Sequence, residues 1–140
     1  MSDLPASSSG QRDLGTLLKT MTPVLGKDEY VFCSISKDGL TQLTGVPLGL
    51  FREEEGITVI LTVEQAVELA LPVTVPWRRI TLSVHSDLEA VGFLAAITRV
   101  LADANISVNA VSAYFHDHLF VPGDQAPAAM DCLVKLSSRS

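Results

Sequence analysis

The chain has 140 residues, 47% hydrophobic and 19% charged, enough to bury a real core as one domain or two very small fused ones. Its net charge of −6 and isoelectric point near 4.9, with ten scattered basic residues, exclude a sequence-independent hold on nucleic acid, which needs clustered Lys and Arg to displace counterions. No run approaches the roughly 20 apolar residues of a membrane helix and residues 1–10 lack the regions of a signal peptide, so the expected location is cytoplasmic, with no membrane partner.

Residues 1–12, with Ser7, Ser8 and Ser9 in a row, read as a flexible tail with little to bury. From Asp13, the spacing of Leu14, Leu17, Leu18, Met21 and Leu25 predicts a helix that Pro23 ends near Thr22. Tyr30–Ile35 is a short β-rich run. Residues 37–50 contain Gly39, Gly45, Pro47 and Gly49 and read as a long connection, carrying at most a short extended piece. Ile57–Thr62 is an apolar, β-branched strand, and Val63, Ala66, Val67 and Ala70 follow on a short helix. Pro72 and Pro76 bracket an extended segment.

In the second half, Ile80, Leu82 and Val84 alternate with Thr81, Ser83 and His85, the period of a half-buried strand. Ser86 stands three residues before Glu89, the spacing of a capping box, so a helix is expected to begin there. Ala90, Leu94, Ile97, Leu101 and Ala104, with Phe93 and Val100, give it a broad apolar face. Asn105 suits its left-handed end. Residues 106–115 and 118–121 then read as strands around a polar break, and a last helix carries Cys132. The order of elements is a weak internal repeat, with halves at 13–79 and 80–140. Neither half holds four strands in the usual order, so the halves are expected to complete each other, on one continuous sheet or two abutting ones. Residues 72–80 are too short and too poor in glycine for a flexible linker. Two isolated cysteines, Cys33 in a strand and Cys132 in a helix, without a CxxC pair, read as buried thiols in a reducing compartment.

The run ITLSVHSDLEAVGFLAAITRVLADANISVNAVSAYFHDHLFVP, residues 80–122, resembles the ACT domain family. Asp87 and Gly92 match the acidic residue and glycine of the family's first strand-to-helix turn, more loosely spaced than usual. Residues 104–109 match its glycine-isoleucine-asparagine signature, with Asn105 where glycine is usual. The resemblance extends upstream through YVFCSI and FREEEGITVIL. It is nearest to small stand-alone proteins related to the paired ACT domains of aspartate kinases and of an animal arginine sensor. It implies an α+β, ferredoxin-like βαββαβ fold in two halves with antiparallel sheets. It also implies a regulatory, non-catalytic role in binding an amino acid, without a cofactor, and a homodimer.

In that family the ligand sits beside the first strand-to-helix turn. Here the turn is Ser86, Asp87, Leu88 and Glu89, followed by Val91 and Gly92. A helix N-terminus offers unpaired amides and partial positive charge to a carboxylate, and Gly92 permits close approach. Asp87 or Glu89 can receive an ammonium group, and Asn109 can bond either end; the same Ser86 and Glu89 also serve as simple caps. Arg52 and Glu53, in Phe51–Gly56, form a second candidate, because a planar fork and a carboxylate complement a zwitterion. Glu54 and Glu55 read as a solvated turn. His116 and His118, two apart on a strand, share a face and can hold a divalent metal if His85 or Asp117 completes the set. The competing reading makes HDH a hairpin turn with imidazoles packed on Tyr114 and Phe115. Those aromatics and Phe120 read as core or interface, and Trp77 as a subunit anchor or a cover for the join. There is no phosphate-binding loop, nucleophile elbow or catalytic carboxylate pair.

Overall fold

The computed structural model describes residues 13–84 and 91–140. In chain order its elements are α1 (Leu14–Thr20), β1 (Pro23–Ile35), α2 (Lys37–Thr41), β2 (Gly49–Arg52), β3 (Ile57–Thr62), α3 (Val63–Glu68), β4 (Trp77–Leu82), α4 (Phe93–Asp103), β5 (Asn109–Ser112), β6 (Asp117–Pro122), a 3-10 turn (Gly123–Gln125) and α5 (Ala126–Arg139). The chain forms two compact units, a smaller one of residues 27–78 and a larger one that joins the residues through Gly26 to those from Arg79 onward.

In the smaller unit the strands lie in the order β2-β3-β1-β4. β1 and β3 are antiparallel, with Tyr30 opposite Thr62 and Ile35 opposite Ile57. Alternation along the strands turns Val31, Ile35, Ile57, Val59 and Leu61 to one face, where Ala66 of α3 and Leu40 of α2 close the core. Ser36 Oγ caps α2 at Gly39 N, and Thr62 and Gln65 form a reciprocal capping box on α3. Past α3, Ala70 is left-handed at φ 55°, and Leu71 N returns to Ala66 O at 2.9 Å, closing a Schellman turn. A non-glycine residue is strained there. Ala70→Gly is therefore expected to raise stability by about 0.5–1 kcal/mol in urea denaturation. A lower midpoint would contradict this backbone conformation.

In the larger unit the order is β1-β4-β6-β5. Ile80, Leu82, Leu119 and Val121 face a helical layer built from Leu17, Leu18, Phe93, Ile97, Leu101, Ala126, Ala129 and Leu133, all buried. Three helices share this core: α1 packs on α5 and α4, and α5 packs on α4. Asn105, at φ 61°, ends α4 as expected. Ile106 N bonds Leu101 O at 2.9 Å and Asn105 N bonds Ala102 O at 2.9 Å.

The repeat becomes exact in the hairpins. Gly49 pairs with Ile60 and Arg52 with Ile57 in one, and Asn109 with Phe120 and Ser112 with Asp117 in the other, a uniform spacing of 60 positions. Each unit is ferredoxin-like. The smaller runs β1-α2-β2-β3-α3 and takes its fourth strand from the start of β4. The larger runs β4-α4-β5-β6-α5 and takes its fourth strand from the start of β1.

Several expectations differ from this structure. α1, expected in the first half, packs in the larger unit, which resumes at Arg79 within β4. β1 is 13 residues long and not only Tyr30–Ile35, and the connection 37–50 holds both α2 and the start of β2. β4 starts at Trp77 and ends at Leu82, before Val84. α4 begins at Phe93, with Gly92 as its N-cap. β5 covers only residues 109–112, and Asp117 and His118 belong to β6 and not to a turn. The tail of residues 1–12 lies outside the described residues, as do residues 85–90.

Candidate functional site

The N-terminus of α4 is built around Gly92, which adopts φ 90° and ψ −13°, a conformation that suits glycine because a Cβ is disfavoured there. The first helical bond runs from Ala96 N to Gly92 O at 2.9 Å. Among the described residues, no side chain caps this end. α1, α2 and α3 differ, since Asp13, Ser36 and Thr62 each accept a backbone N–H with the side chain. The amides opening α4 lie at the positive end of an 11-residue helix. Phe93, Ile97 and Leu101 hold that helix in the core.

Ser86, Asp87, Leu88 and Glu89, with the expected capping box and His85, lie outside the described residues. Val91, next to Gly92, is 85% exposed, and Asn109 opens β5 as an exposed residue opposite Phe120. Arg52 and Glu53 are in the smaller unit. Arg52 ends β2, exposed and opposite Ile57, while Glu53 accepts a hydrogen bond from Thr58 Oγ1 and its N–H bonds Gly56 O at 2.9 Å. Gly56 is tightly placed, because a Cβ there would come within 2.7 Å of Ser34 Oγ. The turn that carries Glu54 and Glu55 is exposed.

The histidines take up different partners. His118 Nδ1 lies 2.9 Å from Thr81 Oγ1, and His116 Nδ1 lies 3.3 Å from the Val84 carbonyl. Their rings meet edge to face with centroids 6.4 Å apart. Asp117 is buried and accepts from Ser112 Oγ. Among the described residues, no group of three or more His, Cys, Asp or Glu is placed to hold a metal ion. Thr81 was not legible as a histidine partner, because only the neighbouring of β4 and β6 brings them together.

Burial lowers the His118 pKa from its ordinary 6.5, Arg79 and His116 lower it further, and Asp117 raises it in part. For a base with a depressed folded pKa, the unfolded chain takes up the proton first as pH falls. The contribution to stability is thus whole above pH 6.5 and is lost below it, toward the folded value. Thermal melts should show a Tm that falls as pH is lowered through this window, less steeply in His118→Gln; equal slopes would refute the assignment.

Burial also raises the Cys33 thiol, and both cysteines are free. Trp77 meets Phe32 edge to face at 6.2 Å within the smaller unit. Phe120 is in the interior, but Tyr114 and Phe115 are 72% and 64% exposed, which corrects the core reading of those two.

Two family models, each described as ACT domain, match residues 9–78 and residues 75–135. The chain belongs to the ACT domain family. Membership points to a regulatory, ligand-binding role, in a family whose domains are typically not catalytic. A Vibrio cholerae protein of unknown function, described as a possible transport protein, is 38% identical with a TM-score of 0.78, over 89% of this chain and 95% of that one. An Agrobacterium tumefaciens protein shares the fold at 14% identity and a TM-score of 0.63, over 84% of this chain and 89% of that one. No curated protein matches. Among the described residues, no helix is long and apolar enough to cross a membrane.

Proposed function

We propose that the protein is a non-catalytic regulatory sensor, cytoplasmic and without a cofactor, whose ligand is a free amino acid or similar small molecule held at the N-terminus of α4. The observation that carries this reading is the N-terminus of α4 behind left-handed Gly92, uncapped among the described residues, in a chain of the ACT family. The ligand carboxylate would take the amides that open α4, with Ser86, Leu88 and Val91 around it. Asp87 or Glu89 would receive the ammonium group and Asn109 would bond either end. Arg52 and Glu53 are the smaller unit's candidates. There the corresponding helix, α2, has five residues and is closed by Ser36, so one helix-terminal site per chain is expected.

Occupancy would act by linkage, stabilising whichever packing arrangement binds the ligand better. A homodimer fits this role. β5 is an edge strand with all four residues exposed, beside the exposed Tyr114 and Phe115, and such edges are commonly covered. The same patch favours a second reading, a protein–protein interaction module without a small ligand.

A thermal-shift screen against amino acids at millimolar concentration separates the two. A ligand at about a hundred times its Kd adds about 2.7 kcal/mol of stability. A selective rise that Asp87→Ala abolishes, with the apo melt unchanged, supports the sensor. A flat screen moves the assignment to the interaction module.

A further inference from the structure

A cluster on the other face of the larger unit's sheet is not used by the helix-terminal site. Ile80, Leu82, Leu119 and Val121 point into the helical core, so the strand alternation turns Arg79, Thr81, His118 and Phe120 the opposite way. His116 joins them through its ring contact with His118, and Val111 lies across from His118 on β5. Arg79, Thr81, His116 and His118 are all half-buried, so this polar group is reachable from solvent.

The hydrogen bonds determine what the rings can offer. A carbonyl oxygen can only accept, so His116 Nδ1 carries its proton toward Val84 O. The Thr81 hydroxyl engages His118 Nδ1. Both Nδ1 atoms are therefore used within the protein, and Nε2 is the nitrogen of each ring that these bonds do not use. Among the described residues, the charges acting on His118 are the Arg79 guanidinium on β4, His116 just before β6 and, with the opposite effect, Asp117 on its own strand. Val111, its neighbour on β5, is apolar. Arg79 is cationic, and Arg79 and His116 both disfavour a proton on His118. A metal ion is disfavoured beside Arg79 and lacks a third protein ligand among the described residues.

We propose that Arg79, Thr81, His116 and His118 form a binding site for an oxyanion, a carboxylate or a phosphate group. The guanidinium and the protonated imidazoles supply charge-assisted donors to such a group. An anion favours the protonated form of His118, which burial, Arg79 and His116 oppose, so its binding is accompanied by proton uptake. By reciprocity, binding tightens as pH falls, by up to about tenfold per pH unit for each proton taken up.

The test is an NMR titration of the full chain, following the imidazole C–H signals of His116 and His118. Inorganic phosphate is added at pH 5.5 and at pH 7.5, at constant ionic strength, with parallel arms of acetate and of zinc. Saturable shifts at both histidines that are tighter at the lower pH, and are lost in a His116→Gln, His118→Gln double variant with an unchanged melt at pH 7.5, establish the site. Acetate equal to phosphate assigns a carboxylate, and phosphate alone assigns a phosphate group. Non-saturating shifts, affinity independent of pH, unchanged binding in the double variant, or tighter binding of zinc than of either anion would each overturn it. An amino-acid thermal shift that survives in the double variant leaves the α4 site standing whatever the anion arms show.

Discussion

Leu17→Ala is expected to lower the stability of the protein by about 2–5 kcal/mol, read as a fall in the urea midpoint at unchanged slope. Leu17 is 0% exposed, and it is buried among residues more than 60 positions away in sequence, including Ile80, Leu101 and Leu133. α1 is further tied to α5 by Ser137 Oγ, which donates to Lys19 O at 3.2 Å and Met21 O at 3.3 Å, supplying partners to carbonyls at the end of a helix. A cavity at Leu17 thus weakens the core that α4 and α5 complete. If α1 served only its own repeat, near-UV signals from the larger unit's Tyr114 and Phe120 would be indifferent to the substitution. A loss below about 1 kcal/mol would contradict the packing of α1 in the larger unit, since burial of this kind rarely costs so little to undo.

Gly92→Ala is expected to have two effects. The first is a loss of about 1–2 kcal/mol, because a Cβ is strained at φ 90°. Among the described residues, the nearest atom to such a Cβ would be Leu14 Cδ2 at 3.5 Å, an ordinary contact. Gly92→Asn should recover part of the loss, since asparagine tolerates left-handed backbone better than alanine does. The second effect is on binding. A backbone that relaxes away from this geometry moves the opening amides of α4, so the amino-acid thermal shift should weaken in Gly92→Ala more than in Gly92→Asn. Equal stability of glycine and alanine at this position would refute the left-handed N-cap, and an undiminished shift would remove α4's N-terminus from the proposed site.

Local chemistry in the sequence was enough to define β3, α3, the body of α4 and the left-handed stop at Asn105. Each rests on residues within a few positions of one another: an apolar β-branched run, the Thr62 and Gln65 side chains, a helical apolar face, a short amide tolerant of positive φ. The ACT family was legible for the same reason, since its motifs lie in continuous segments. β1 was not legible beyond Tyr30–Ile35, because Gly26, Lys27, Asp28 and Glu29 show no apolar alternation and owe their extended form to neighbouring strands. The start of α4 was displaced to Phe93 because capping-box spacing at Ser86 marks where a helix can begin, while Gly92, at positive φ, marks where this one does. Only tertiary structure decided that α1 packs with α4 and α5, that β1 and β4 each serve both units, and that Thr81 meets His118. Those pairings join residues tens of positions apart, and no local periodicity records which of two similar repeats an element will pack upon.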